Sequence, residues 1–183
     1  KPVQANVPIW VAARSPITFD YAISQGANIL SWPLMLGMEE AEKYAAQRQD
    51  ALAKAGGAYA GKFVMMRHAA VYETDADREA CLRAVQHNLG QFGNLMMKAG
   101  EVRNGFPDVV PLAQLEGNVR VDTTMLEQNL LFGAPEQVAE KLRAYQDLGL
   151  DGFIYYASMG LDQARQHRSL EAFITKVMPE FTL

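Results

Sequence analysis

The chain has 183 residues, 49% of them hydrophobic and 21% charged, enough for one domain with a real core and too few for two comfortable ones. Its net charge is -4 and its seventeen basic residues are scattered, which argues against nucleic acid, since neutralising phosphates takes clustered Lys and Arg. The single cysteine, Cys81, excludes an internal disulfide and a Cys-based metal site.

Cys81 lies in a helical pattern between Ala80 and Leu82 and reads as a small buried residue of a protein in the reducing cytoplasm. No apolar run approaches the ~18 residues that span a bilayer. Lys1-Pro2-Val3 is neither a signal peptide nor a start at Met, so the chain reads as processed, truncated or part of something longer.

In chain order, Pro8 to Ala13 is a continuous apolar run, as expected of a strand buried on both faces of a parallel sheet. Arg14-Ser15-Pro16 breaks it, and a short helix follows over about Ile17 to Gln25, ended by Gly26. Ala27 to Trp32 is a second short strand stopped by Pro33, and Glu39 to Ala55 is a helix closed by Gly56-Gly57. Lys62 to Tyr72 is a third strand. Thr74 caps a long helix whose stripe is Cys81, Val85, Leu89, Phe92 and Met96.

From Gly100 to about Leu131 there is little periodicity, and a loop that long inside a domain is usually functional or mobile. Pro135 then opens a helix ended by Gly149, and Gly152 to Ala157 is a fourth buried strand. Leu170, Phe173, Ile174 and Val177 mark the last helix. Four strand–helix units imply an α/β fold with a parallel sheet, as a small doubly wound domain or half of an eight-stranded barrel. Periodicity does not separate the two.

Both architectures bind ligands beyond the C-terminal ends of the strands. At Ala13-Arg14-Ser15-Pro16-Ile17-Thr18, hydroxyls, a guanidinium and free helix N–H groups suit a phosphate; the simpler reading is a capped helix beside a solvated Arg14. Ser31-Trp32-Pro33 could line a flat heterocycle or merely pack. His68 is a lone strand histidine, and His87 and His167 lie far from it in sequence. With no paired-carboxylate or His-ligand spacing, no metal is expected and no catalytic residue is assigned. Ala157-Ser158-Met159-Gly160 offers small residues at the last junction. Gly56-Gly57 with Gly61 falls at a helix end and matches no phosphate-binding fingerprint.

Several segments together resemble the bacterial luciferase-like flavin monooxygenases over nearly the whole chain. Pro8 to Pro16 resembles that family's fifth strand and following turn, and Ile29-Leu30-Ser31-Trp32 its sixth strand. Gly133-Ala134-Pro135-Glu136-Gln137-Val138 with Leu148 to Phe153 resembles the helix and eighth strand near its C-terminus, and Arg168 to Pro179 its last helix. The resemblance implies the C-terminal half, strands 5–8, of a TIM-type (β/α)8 barrel that binds reduced FMN or, in some members, the deazaflavin F420. It places Ala13, Arg14, Ser15 and Thr18 at the flavin phosphate and Ser31 and Trp32 near the ring. Arg14 stands where luciferase-type chains can carry an acidic residue, and Ala134 replaces the usual Thr or Ser, which should weaken that helix cap.

Residues 100–131 fall where the family has a variable excursion, either a water-excluding lid or an insertion packed outside. Strands one to four, whose loops usually carry the catalytic histidine, have no counterpart here. The chain is therefore expected to be inactive without that half, and to pair with it or self-associate to cover open edges. The implied reaction is oxidation of a small organic substrate by reduced FMN and O2, with a separate flavin reductase as partner. An F420-dependent oxidoreductase and a non-catalytic flavin-binding or assembly module are the alternatives.

Overall fold

The computed structural model describes residues 3–5, 7–56, 59–97 and 101–181. Gly57 and Gly100, which bound two of the expected elements, lie outside these residues. The chain divides into two compact units: Lys1–Arg67 with Leu142–Tyr155, and His68–Lys141 with Tyr156–Leu183.

In the first unit, β1 (Trp10–Ala12), α1 (Pro16–Ser24), β2 (Asn28–Ser31) and α2 (Met38–Ala55) lead into β3 (Phe63–Val71). Strands β1 and β2 pair in parallel, with Val11 opposite Ile29, and β2 pairs in parallel with the start of β3, with Ser31 opposite Met65. Helix α2 ends where Gly56 takes a left-handed conformation (φ 61°) and returns its N–H to the Leu52 carbonyl, a turn that L residues with a Cβ adopt at a cost. Helix α6 (Pro135–Asp147) belongs to both units, and β7 (Gly152–Tyr156) follows it and pairs with β3. Phe19, Tyr44, Phe63 and Ile29 are fully buried and form the centre of this unit, with Phe19 edge-on to Phe63 at a centroid distance of 6.1 Å.

Strand β3 is buried along nearly its whole length. Strand β7, expected as a fourth buried strand, is only half-buried, with Ile154 39% exposed, and the expectation of burial on both faces fails for β1. Ile9 is 64% exposed and Trp10 46%, because among the described residues β2 is the only strand paired with β1.

In the second unit, the end of β3 pairs in parallel with a three-residue strand, β6 (Leu131–Gly133), which the sequence pattern does not reveal. Helix α3 (Asp75–Met97) starts as expected: Thr74 Oγ1 accepts the Asp77 N–H. Its buried stripe runs through Cys81, Val85 and Leu89, but Met96 is 65% exposed near the helix end.

Residues 101–131 carry an antiparallel hairpin, β4 (Val102–Arg103) with β5 (Phe106–Pro107), then α4 (Leu112–Leu115), a 3-10 turn at Val119–Val121 and α5 (Thr123–Asn129). This stretch is fastened by polar side chains of α3. Gln86 Nε2 donates to the Val121 carbonyl, Asn94 Nδ2 donates to the Asp108 carbonyl, and Gln91 both donates to and accepts from the backbone of Val110.

Helix α6 starts at Pro135 as expected. In place of a Thr or Ser cap, Gln137 Oε1 reaches back to accept the Ala134 N–H at 2.9 Å, the reverse half of a capping box. A Cβ at Gly133 (φ 155°) would lie 2.9 Å from this glutamine, so the arrangement requires glycine there. The last α-helix, α7 (Gln163–Ala172), begins earlier than the expected apolar positions suggest, and three of those four, Phe173, Ile174 and Val177, fall in the π-helical segment Phe173–Val177 that follows it. Asp162 caps α7 through the Arg165 N–H, and its polar first turns show no stripe. Among the described residues, no helix is long and apolar enough to cross a membrane.

Candidate functional site

The parallel pairing of β1 with β2 puts their C-terminal ends side by side in the first unit. Ala13, just past β1, donates its N–H to the Leu30 carbonyl at 2.9 Å. Its own carbonyl accepts the Ser31 hydroxyl at 2.7 Å, and Ala13 and Ser31 are both buried. One internal hydrogen bond therefore joins the two junctions singled out in the sequence. The Ser31 proton is committed to the fold, and Trp32, half-buried, follows it directly.

Ser15 occupies the residue before α1 in extended conformation, yet its side chain caps no backbone N–H. Its Oγ instead shares a hydrogen bond with Thr18 Oγ1 at 2.9 Å. Pro16 begins the helix, and its first turn contains no acidic residue. Arg14 is exposed, and its Nε donates to Tyr44 Oη at 3.0 Å. Burial raises the Tyr44 phenol above its ordinary value, while the Arg14 guanidinium works against that shift. Two hydroxyls, a guanidinium and a helix N-terminus form a donor-rich cluster that fits a phosphate group.

A residue that the sequence reading missed lies in the same unit. Arg67, on β3, is fully buried. Its Nη1 donates to the Leu34 carbonyl at 3.2 Å and its Nη2 to the Leu36 carbonyl at 2.6 Å. Its guanidinium carbon lies 5.8 Å from the Tyr145 ring centroid. Burial lowers its pKa from the ordinary arginine value. The signal was present: an arginine inside Phe63-Val64-Met65-Met66-Arg67-His68-Ala69-Ala70 has to be buried if the strand is.

In the second unit His68 is fully buried and its ring packs against Tyr156, with centroids 4.6 Å apart. His87 and His167 are exposed, and among the described residues no group of three His, Cys, Asp or Glu could hold a metal. At the last junction Met159 is buried and Gly160 has a φ of 86°. A cavity of about 210 Å3 opens at the end of β3, lined by residues including Tyr72, Asp77, Cys81, Arg165 and Arg168. Asp77 Oδ1 accepts from Arg165 Nε at 3.1 Å and from Arg168 Nη2 at 2.8 Å, and Arg168 leads the groups that hold its carboxyl below the ordinary range. Burial pushes the Cys81 thiol up to about 11, which keeps it protonated and unreactive at neutral pH. Beside this cavity Tyr72 donates to Glu127, whose carboxylate also receives Arg78 through Nε at 2.6 Å and Nη2.

A polar cluster beyond the C-terminal ends of parallel strands is the general layout of ligand sites in α/β proteins. The comparisons give the family: residues 1–152 match the model of the luciferase-like monooxygenases, and the chain belongs to that family. It is 28% identical over 181 residues to the oxygenase component of a flavin-dependent trigonelline monooxygenase from Acinetobacter baylyi, covering 98% of this chain and 50% of that protein.

Among solved structures, an F420-dependent secondary alcohol dehydrogenase matches with a TM-score of 0.66 at 14% identity, over 100% of this chain and 51% of the other. EDTA monooxygenase from Chelativorans sp. BNC1 matches at 0.61 and 19%, over 98% and 45%. The FMN-bound oxygenating constituent of 3,6-diketocamphane monooxygenase from Pseudomonas putida matches at 0.59 and 17%, over 96% and 49%. These structures share the fold. The chain spans about half the length of the relatives that it matches.

Proposed function

We propose that this chain is the C-terminal half, strands 5–8, of a (β/α)8-barrel flavin-dependent monooxygenase that uses reduced FMN and O2 on a small organic substrate. Ala13, Arg14, Ser15 and Thr18 hold the flavin phosphate, while Ser31 and Trp32 stand beside the ring. The carrying observation is the Ser15–Thr18 hydroxyl pair at 2.9 Å, set beside Arg14 on a helix start free of acidic residues. Ser31 acts from behind: its bond to the Ala13 carbonyl fixes the turn on which the phosphate would rest. Bound flavin would supply the redox chemistry, and these side chains would supply grip, orientation and exclusion of water.

The half-barrel reading draws support from relatives about twice as long and from the exposed apolar residues Ile9, just before β1, and Trp10 at its start, as expected of a strand that awaits a neighbour. On this reading the whole 1–183 segment needs its N-terminal half, or a second copy, for turnover, and 100–131 is the family's variable lid or insertion. That the Acinetobacter relative is named an oxygenase component favours a separate flavin reductase as partner.

The test is titration of the full-length protein with reduced FMN, F420 and riboflavin, followed by oxygen consumption with and without candidate substrates. FMN binding with substrate-dependent oxygen uptake is expected. Binding of F420 alone selects the deazaflavin oxidoreductase, and FMN binding without uptake selects a flavin-binding module.

A further inference from the structure

The stretch after β2 combines two unfavourable features. Leu34 sits at φ 57°, a left-handed conformation that a bulky L residue rarely takes. It belongs to a turn closed by the Leu36 N–H on the Pro33 carbonyl at 3.0 Å. Pro33 is buried, but past it Leu34 and Met35 are only half-buried and Leu36 is 41% exposed. The second feature is Arg67, a guanidinium taken fully out of water. The two meet: both donor arms described for Arg67 end on this turn, at the carbonyls of Leu34 and Leu36, while the Tyr145 ring lies near the guanidinium. A planar two-pronged donor fixes a pair of carbonyls in a way that a single ammonium does not.

We propose that Arg67 is a positioning residue for the flavin wall: it clamps the strained Pro33–Leu36 turn and thereby sets Trp32, the residue immediately before it. What Trp32 faces rests on the flavin reading above; the clamp itself does not.

The test uses full-length protein labelled with 5-fluorotryptophan, its Trp32 19F line assigned from Trp32→Phe, together with FMN titrations. Arg67→Met is expected to move the Trp32 line toward the free amino-acid position and to weaken FMN binding about tenfold. Arg67→Lys, which keeps the charge and suits a less tolerant fold, is expected to give a smaller displacement in the same direction. Adding Leu34→Gly to either variant removes the cost of the left-handed turn and should return the line part of the way. A core-filling arginine would show no such rescue. A Trp32 line unmoved in a folded Arg67 variant, or moved without any return on Leu34→Gly, overturns the clamp. If the unaltered protein binds no flavin, the flavin reading fails, and the 19F result alone decides the role of Arg67.

Discussion

The Ser31 hydroxyl donates to the Ala13 carbonyl at 2.7 Å, so the end of β2 holds in place the turn that follows β1. Ser31 is buried, so replacing it with alanine leaves the Ala13 carbonyl without that partner in an apolar setting. Ser31→Ala is expected to cost about 1–3 kcal/mol in urea unfolding and to weaken FMN binding as well. Loss of stability with FMN affinity intact would remove Ser31 from the site.

Ser15 and Thr18 behave differently, because neither side chain caps the helix that they begin. The double variant Ser15→Ala/Thr18→Val should therefore leave the melting temperature nearly unchanged. FMN affinity should fall roughly tenfold to hundredfold, the worth of one to two hydrogen bonds to a charged group. Riboflavin, which lacks the phosphate, should bind both proteins equally, and a parallel loss for riboflavin would count against a phosphate contact.

Glu127 gives the protein an acid-sensitive tie. The Arg78 guanidinium holds its carboxyl below the ordinary value of 4.5, and the Tyr72 hydroxyl adds to this. A carboxyl depressed in the folded state contributes stability fully above 4.5 and loses it as pH falls through the lower folded value. Melting curves between pH 7 and pH 3 should show Glu127→Gln destabilised near neutrality and converging on the unaltered protein in acid. A constant gap across that range would contradict the assignment.

Lys141 is the fastening at the other end of α5. Its ammonium donates to the carbonyls of Glu127, Leu130 and Phe132 at 2.6, 2.9 and 2.9 Å, collecting groups that the helix end and β6 leave over. Lys141→Met keeps the apolar stem and removes the donor, and should cost about 2–4 kcal/mol in equilibrium unfolding. Faster hydrogen exchange is expected at Leu130–Phe132 first.

Elements with long apolar runs or strong punctuation were legible in the sequence: β2, β3, α2 closing at Gly56, α3 starting after Thr74 and α6 opening at Pro135. Each carries its own local signal, so distant contacts hardly alter it. Strand β6 has only three residues, and α4 and α5 are too short to show a period. The start of α7 is hidden because its first turns are polar and depend on the Asp162 cap. Within the site, the residue types at Ala13–Thr18 and Ser31–Trp32 were readable. The Ser31–Ala13 bond and the Arg67 clamp join residues 18 and 31–33 positions apart, and no local pattern encodes such pairings.

The three amides of α3 that grip the 101–131 stretch also set where that stretch can change length. Their partners begin at Asp108, so the β4–β5 hairpin lies ahead of the first anchor, while Asp108, Val110 and Val121 are each held by one of these amides. Extra residues inserted at the hairpin tip, Asn104-Gly105, lengthen a surface loop at little cost, whereas one residue added between Val110 and Val121 shifts a glutamine off its backbone partner. Divergence in chain length among relatives of this protein should therefore be concentrated at 102–107.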